Sequence, residues 1–351
     1  MKKDNEEKVG IMKKLLALMM AATLVLSMTA CGGSKEEAPA ADTPAAEENV
    51  TDEAATGDVY KIGVLQYVQH AALDASNEGF FAALDDAGIA YEADQQNAAG
   101  EAASCDTIAD TLVNNGNDLI LAIAPPAAQA VAGKTTEIPV ILTAVTDPAE
   151  SGLAETNDAP GANVTGTSDL TPVKEQMELL KEVLPETKTV GILYCSAEAN
   201  SVLQADMAKA ALEDLGIAYA DLTVSNSNEI QTVVESAVGK VDALYCPTDN
   251  MIAAGMATVA MVANENGIPV ICGEEGMVNE GGLATYGIDY YQLGYLAGQM
   301  AVEILTNGAN PAEMPIGYLA AENCALTVNE ETVAALEAKG LDLSALTAKV
   351  K

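Results

Sequence analysis

The stretch Leu283-Ala-Thr-Tyr-Gly-Ile-Asp-Tyr-Tyr291 decides how the fold is interpreted. It begins as a short apolar strand that ends at Gly287, and the polar and aromatic residues Asp289 and Tyr290 follow. An amphipathic helix then begins near Tyr291. We interpret this stretch as the place where the chain passes from one lobe to another, beside a ligand cleft.

The remaining folded part alternates short apolar strands with helices. We predict strands at 61–66, 89–94, 119–124, 139–142 and 163–167, and in a second series at 189–194, 217–224, 243–246 and 269–272. We predict helices at 73–87, 101–115, after Pro125, and then at 171–184, 199–215, 227–238 and 250–266. Such alternation predicts βαβ units and parallel sheets. The fold class is therefore α/β, with two Rossmann-like lobes.

Length and charge limit the possible functions. The 351 residues are 49% hydrophobic, which is enough for two lobes that each have a core. The formal net charge of -36 repels phosphate backbones and anionic headgroups, so we expect no nucleic-acid partner. All 16 basic residues are Lys, so a dianionic ligand would find no guanidinium group.

The first 58 residues have the pattern of an exported, anchored protein. Residues 1–31 contain a basic pair, an apolar run and a small-residue segment before Cys31, which resembles a lipoprotein lipobox with Cys31 as the lipidated residue. A signal peptide with an incidental cysteine is the alternative. Residues 32–58 are rich in Ala, Pro, Glu, Asp and Thr, and we predict a disordered acidic tether. We therefore expect a lipid-anchored protein at the cell membrane, facing outside the cytoplasm.

Cysteine and histidine usage argues against a metal centre. Beyond Cys31 the chain has five cysteines without CxxC spacing, and we favour unpaired buried thiols over a disulfide. The only histidine is His70, so we expect no metal ligand set. No cofactor-binding glycine motif follows the first strand, so we expect no cofactor.

Ligands of doubly wound sheets bind at the carboxyl ends of the strands. The residues predicted to bind ligand by this rule are Gln66, Tyr67, Thr143, Thr146, Ser168, Ser196, Asn200, Ser201, Thr248, Asp249, Asn250, Glu274, Asp289 and Tyr290. The pairs Asn200-Ser201 and Asp249-Asn250 are also good helix caps. Two roles are therefore possible for them: they cap a helix only, or they cap a helix and also contact the ligand. His70 either contacts ligand or only orients the first βα loop.

These side chains favour a zwitterionic ligand. Backbone N–H groups at helix starts can bind one carboxylate, and the acids Asp249, Glu274 and Asp289 could bind an ammonium group. Four tyrosines could enclose an apolar or aromatic side chain, namely Tyr67, Tyr194, Tyr286 and Tyr290.

Several segments, in order, resemble one known family. They are Ile62-Gly-Val-Leu-Gln-Tyr-Val-Gln-His70, Thr143-Ala-Val-Thr-Asp-Pro148, Ser168-Asp-Leu-Thr-Pro-Val173, Glu198-Ala-Asn-Ser201, Val224-Ser-Asn-Ser-Asn-Glu229, Pro247-Thr-Asp-Asn250 and Ala284-Thr-Tyr-Gly-Ile-Asp-Tyr290. They resemble the ABC transporter substrate-binding lipoproteins that include the tryptophan/tyrosine binders. Two positions depart from that pattern: Ala71 replaces a usual proline, and Pro125 often corresponds to a hydroxyl residue.

The resemblance implies a type I periplasmic-binding-protein fold with three crossovers between the lobes. Lobe 1 would comprise residues 59–168 and 289–321, and lobe 2 residues 169–288 and 322–351. It also implies capture of an aromatic amino acid (Trp, Tyr or Phe) and its delivery to an ABC permease.

Three alternatives were weighed against this function. The same architecture could bind a sugar, a nucleoside or another small polar solute, although the chain has no Trp on which a sugar ring could stack. An enzyme is disfavoured because a single histidine and the missing nucleophile-elbow pattern make a hydrolytic triad hard to build. A transcription regulator is disfavoured by the acidity and the lipobox.

Overall fold

The computed structural model describes residues 59–319 and 324–350, so the predicted signal segment with Cys31 and the predicted tether lie outside the described residues. The strands are β1 (Tyr60–Gln66), β2 (Tyr91–Asn97), β3 (Leu119–Ile123), β4 (Val140–Thr143), β5 (Val164–Ser168), β6 (Thr189–Cys195), β7 (Ala218–Val224), β8 (Ala243–Cys246), β9 (Val270–Cys272), β10 (Ala284–Gly287), β11 (Gly317–Tyr318) and β12 (Ala325–Val328). The helices are α1 (Ala71–Asp86), α2 (Ala102–Asn114), α3 (Pro125–Ala132), α4 (Val173–Val183), α5 (Ala199–Asp214), α6 (Ile230–Ala237), α7 (Asn250–Ala254), α8 (Met256–Glu265), α9 (Glu275–Asn279), α10 (Tyr290–Asn307), α11 (Glu330–Glu337) and α12 (Ser344–Val350). Short 3₁₀ turns occupy Ser227–Glu229 and Pro311–Glu313.

The strands form two six-stranded sheets with matching order. The first sheet runs β11-β5-β4-β3-β1-β2, and the second runs β12-β10-β9-β8-β6-β7. The pairings are parallel except that β12 lies antiparallel to β10. The predicted α/β class with two Rossmann-like lobes is confirmed, with this one antiparallel edge strand added. In such an order the carboxyl ends of β1 and β3, or of β6 and β8, flank a topological switch point.

The chain passes between the sheets after β5, after β10 and between β11 and β12. The first apolar core packs α10 residues such as Leu293 against β1, β3 and β4. The segments after the first crossing pack against the second sheet in two further clusters. We propose to divide the described chain into lobe 1 (59–168 and 289–319) and lobe 2 (169–288 and 324–350).

The strand predicted at 89–94 instead begins at Tyr91 and continues to Asn97. The difference comes from the end of α1, where Gly88 adopts a φ of +70°. In that conformation the Ile89 N–H donates to the Leu84 carbonyl at 3.0 Å. This glycine-based cap holds residues 88 and 89 against the helix, so they cannot join the sheet.

The helix predicted at 250–266 is divided into α7 and α8 at Gly255. A Cβ at this position would overlap the Ile230 side chain of α6, so the glycine allows α6 to approach closely. The five-residue helix α9 was not predicted. It begins after Glu274, whose carboxylate accepts the N–H groups of Gly276 and Met277.

The four buried cysteines, Cys105, Cys195, Cys246 and Cys272, are free, and so is the partly buried Cys324. The preference for unpaired thiols is therefore confirmed for this part of the chain. None of the helices in the described ranges is long and apolar enough to cross a membrane.

Helices α1 and α10 pack with their backbones almost touching. A Cβ on Gly294 would overlap the Ser76 carbonyl oxygen, and a Cβ on Gly79 would overlap that of Tyr291. The Ser76 hydroxyl also donates to the Tyr290 carbonyl at 3.2 Å. This contact ties the helix that follows the second crossing to the helix that follows β1.

We predict that Gly294→Ala lowers the free energy of unfolding by about 1–3 kcal/mol, because the added methyl group must push two helix backbones apart. The exposed Gln299 on the same helix provides a control, since Gln299→Ala should change stability by no more than about 0.5 kcal/mol. Urea denaturation of both variants measures the difference. Equal midpoints for Gly294→Ala and the parent protein would contradict the proposed close packing.

Candidate functional site

A cavity lies between the lobes at the carboxyl ends of both sheets. Its lining residues are His70, Leu73, Ala144, Asp169, Asn200, Thr248, Asp249, Asn250, Ala253, Glu274, Met277 and Tyr290. The cavity between these side chains has a volume of about 270 Å³. The lobes therefore lie close together around a narrow polar cleft.

Side-chain contacts join the lobes beside the cavity. Nε2 of His70 lies 3.3 Å from Oδ1 of Asn250. Nε2 of Gln204, on α5, donates to Oγ1 of Thr146 in lobe 1 at 3.1 Å and also contacts Thr248 in lobe 2. These contacts bridge the cleft without a charged pair.

Asp169 occupies the first crossing and is only 5% exposed. Its Oδ1 accepts a hydrogen bond from Thr146 Oγ1 at 3.0 Å, and its Oδ2 accepts one from Tyr290 Oη at 2.8 Å. Burial raises the pKa of Asp169, and these two hydrogen bonds oppose that change. The carboxyl group is held in place by two neutral donors and lines the cavity.

Glu274 reaches the same cavity from the end of β9. It is 3% exposed, and it caps α9 by accepting from the Met277 N–H at 2.8 Å. Burial raises the pKa of Glu274 to about 7, and the negative charges of Glu275 and Asp169 add to this effect. The negative charge of Asp169 thus acts on Glu274 across the cavity that both residues line.

Asp249 and Glu198 form a second acidic pair at the end of β8. Asp249 caps α7 through the Ile252 N–H at 2.8 Å and also accepts the Cys195 N–H. Glu198 accepts from Asn250 Nδ2 at 2.6 Å and from the Met251 N–H at 3.2 Å. Burial raises the pKa of Glu198 to about 8, and the charge of Asp249 raises it further.

The cavity carries negative charge without a cationic side chain. Asp169, Asp249 and Glu274 line it, and among the described residues no lysine does. Buried carboxylates are costly unless they are paired or hydrogen-bonded. Hydrogen bonds from backbone N–H groups and hydroxyl groups offset part of the cost of burying these carboxylates. A ligand with a positive group would offset more of it.

Six of the predicted ligand-binding residues line the cavity, namely Asn200, Thr248, Asp249, Asn250, Glu274 and Tyr290. The sequence did not decide whether Asn200, Ser201, Asp249 and Asn250 cap helices. Of these four residues, only Asp249 caps a helix with its side chain. Asn200 instead donates to the Thr248 carbonyl at 3.0 Å, which turns its amide toward the cavity.

Four other predicted residues lie behind the cavity, where their hydrogen bonds keep the lining side chains in position. Thr146 binds Asp169, and Ser168 donates to the Thr146 carbonyl at 2.7 Å. Thr143 accepts from Thr167 at 2.9 Å inside the first sheet. Ser201 contacts Asn200 through a hydrogen bond of 3.2 Å from the amide.

The remaining predicted residues do not line the cavity. Gln66 donates to Asp74 and to the Val68 carbonyl, which orders the first βα loop. The Tyr67 hydroxyl donates to the Gly100 carbonyl, and the exposed Ser196 contacts the Val224 carbonyl.

Asp289 corrects the sequence interpretation most clearly. It is exposed, caps α10 through the Gln292 N–H at 3.1 Å and does not line this cavity, although it borders a neighbouring space together with Glu274 and Tyr290. Of the four tyrosines expected to surround a ligand, only Tyr290 lines the cavity. The Tyr194 hydroxyl donates to Asp221 instead, at 3.1 Å.

Sequence analysis missed Asp169 and Glu198. Asp169 directly follows Ser168, the last residue of β5, so the strand-end rule could have selected it. Glu198 precedes α5 in a position where an acid usually caps its own helix, and no local pattern indicates that it caps α7 instead.

Two relatives show what similar chains bind. A tyrosine-binding protein from Clostridioides difficile (strain R20291) is 39% identical over 333 residues, which cover 94% of each chain. A structure of an ABC domain in complex with L-Trp, from Streptococcus pneumonia, is 38% identical with a TM-score of 0.77. That match covers 80% of this chain and 95% of the other.

A third relative helps to interpret the lobe arrangement. The ligand-free, open structure of a substrate-binding protein with adhesive properties from Clostridium difficile is 42% identical over 80% of this chain and 95% of that one. Its TM-score is 0.62, below the 0.77 of the L-Trp complex, although its sequence is more similar. The lobes described here are therefore arranged more like those of the complex, in agreement with the narrow cleft.

The family model for ABC transporter substrate-binding proteins matches residues 61–343, which include both lobes and the cavity between them. The fold, the shared cleft and the relatives agree with that match. The chain therefore belongs to the ABC transporter substrate-binding proteins, a family that binds transported solutes and does not catalyse reactions.

Proposed function

We propose that this protein captures an aromatic amino acid between its lobes and presents it to an ABC permease. The observation that carries the proposal is the buried pair Asp169 and Glu274, which face one cavity from the first crossing and from lobe 2. An ammonium group between them would satisfy both carboxylates. The same group would favour the closed lobes, because Glu274 lies in lobe 2 and Asp169 is hydrogen-bonded to Thr146 and Tyr290 of lobe 1.

The other lining residues match the chemistry of the remainder of such a ligand. Leu73, Ala144, Ala253 and Met277 provide apolar surface for a ring or an aliphatic chain. With no Arg in the chain and no lysine at the described cavity, neutral donors would bind the ligand carboxylate. The tyrosine-binding relative and the L-Trp complex support an aromatic amino acid as the ligand class.

We propose further that Cys31 carries the lipid that anchors the protein outside the cytoplasm. The lipobox-like segment and the acidic residues of 32–58 support this localisation. A tether of this kind would keep the two lobes near the membrane face of the permease.

We expect purified protein to bind L-Tyr or L-Trp in isothermal titration calorimetry. Asp169→Asn should weaken that binding by roughly 10- to 150-fold, because a charged hydrogen bond contributes about 1.5–3 kcal/mol. Asp214→Asn is the matched control and should leave the affinity unchanged, since Asp214 is exposed and does not line the cavity. Failure to bind any aromatic amino acid at millimolar concentration would overturn the proposed ligand class, and full affinity in Asp169→Asn would overturn the role of Asp169.

The affinity should also rise with pH from about 5.5 to 7.5. Burial raises the pKa of Glu274 to about 7, so part of the ligand-free protein carries a protonated Glu274 in this range. An ammonium ligand favours the ionised form, so binding releases a proton and the affinity increases by up to about tenfold per pH unit. Burial lowers the pKa of His70 to about 4, so its titration falls below this range.

Glu274→Gln should flatten this dependence, whereas Glu275→Gln, which changes an exposed neighbour, should preserve it. Calorimetry in buffers of different ionisation enthalpy measures the released proton directly. An affinity that is constant with pH in the parent protein would contradict an ammonium group beside Glu274.

Cys31→Ser should abolish incorporation of labelled palmitate and release the protein into the culture medium. The control is Cys324→Ser, which removes a partly buried thiol in the folded body and should leave the protein anchored. Membrane retention of Cys31→Ser without palmitate would argue for an incidental cysteine.

A further inference from the structure

His70 lines the cavity and carries a hydrogen-bond acceptor without a partner among the described residues. Asn250 Nδ2 donates to Glu198 at 2.6 Å, which leaves Asn250 Oδ1 as the atom that faces His70 Nε2. Because an amide oxygen only accepts, Nε2 must carry the proton. Nδ1 of a neutral His70 is then a lone-pair acceptor. It is buried and has no hydrogen-bond partner among the described residues.

The neutral form of His70 is the one that this environment favours. Burial lowers the pKa of His70 to about 4, and the hydrogen bond to Asn250 and the charge of Asp74 only partly oppose that effect. A charged imidazole that would bind a carboxylate is therefore disfavoured near neutral pH.

Asn200 presents a second acceptor from the opposite lobe. Its Nδ2 donates to the Thr248 carbonyl at 3.0 Å, so the amide orientation is fixed, since a carbonyl can only accept. Its Oδ1 is buried and unpaired within the described ranges, and the residue is 4% exposed. Lobe 1 and lobe 2 thus each contribute one neutral acceptor to the cavity.

The cavity therefore contains two kinds of acceptor. Asp169 and Glu274 are acids, which suit the ligand ammonium. His70 Nδ1 and Asn200 Oδ1 are neutral, which suits a donor without charge. Tyrosine and tryptophan each carry one such donor on the ring, the phenol O–H or the indole N–H, and phenylalanine carries none.

We propose that His70 and Asn200 are specificity-determining residues, which together accept the single ring donor of the ligand in a three-centre hydrogen bond and so select tyrosine or tryptophan over phenylalanine. This inference rests on the proposed binding of an aromatic amino acid. A buried acceptor left unpaired costs about 1–3 kcal/mol. Phenylalanine, which lacks the ring donor, should therefore bind more weakly than its smaller size alone would explain. Glu198 acts as a positioning residue, because it orients Asn250 and thereby the imidazole.

The test measures the affinities of L-Tyr and L-Phe by calorimetry in the parent protein and in His70→Leu, which has no side-chain acceptor. The parent should prefer L-Tyr over L-Phe by at least about fivefold. His70→Leu and Asn200→Leu should each lose most of that preference, mainly through weaker L-Tyr binding, whereas loss of the His70 contact with Asn250 affects both ligands alike. Thermal denaturation without ligand shows whether each variant is folded, and either variant alone is sufficient for the comparison.

Asn264→Leu is the matched control. The Asn264 Oδ1 is also buried without a partner in the described chain, and its Nδ2 also donates to a carbonyl, that of Gly281, but the residue does not line the cavity. This variant should retain the parent preference for L-Tyr.

The outcomes separate the two proposals. If the parent binds L-Tyr and L-Phe equally, or if His70→Leu weakens both ligands by the same factor, the ring-donor assignment is wrong while the aromatic ligand class stands. If the parent binds neither L-Tyr, L-Trp nor L-Phe, the proposed function itself fails.

Discussion

Burial of carboxyl groups without a cationic side chain is the constraint on which the cleft depends. Asp249 and Glu274 reduce its cost by capping short helices, and Asp169 does so through two hydroxyl groups. Each arrangement uses a donor that is fixed by the fold, so the acids are positioned before a ligand arrives. The same arrangement leaves the cleft short of positive charge, because backbone and hydroxyl dipoles compensate a buried carboxylate only in part. A cationic group is thus the natural complement of this site, and a second anion is not.

The two lobes supply different parts of that site. Lobe 1 contributes His70 and Tyr290, both at helix starts, whereas lobe 2 contributes Asn200, Asn250 and Glu274. The crossing segment between them carries Asp169. Because neither lobe holds a complete set of polar partners, the site is complete only when the lobes meet. Contacts between the lobes, such as that between His70 and Asn250, therefore couple closure of the cleft to formation of the site.

Sequence patterns predicted the architecture because they depend on local chemistry. Short apolar strands, glycines after helices and two similar series were enough to predict two parallel sheets with a cleft between them. The strand-end rule also found most of the polar lining of lobe 2. It could not tell that Asp289 caps its own helix while Asp169 faces the cavity, since the difference depends on the turn geometry after each strand. Likewise, Glu198 acts on a helix 52 residues away in sequence, which no local pattern encodes.

The glycine contact between α1 and α10 has a kinetic consequence. His70 precedes α1 and Tyr290 begins α10, so the locked helix pair keeps these two residues at a constant separation while the other lobe moves. In the proposed function, a ligand would meet half of its site already assembled before the second lobe closes over it. Changes in the lobe 1 half should act on the rate of capture, whereas changes in lobe 2 should act mainly on the residence time of the bound molecule.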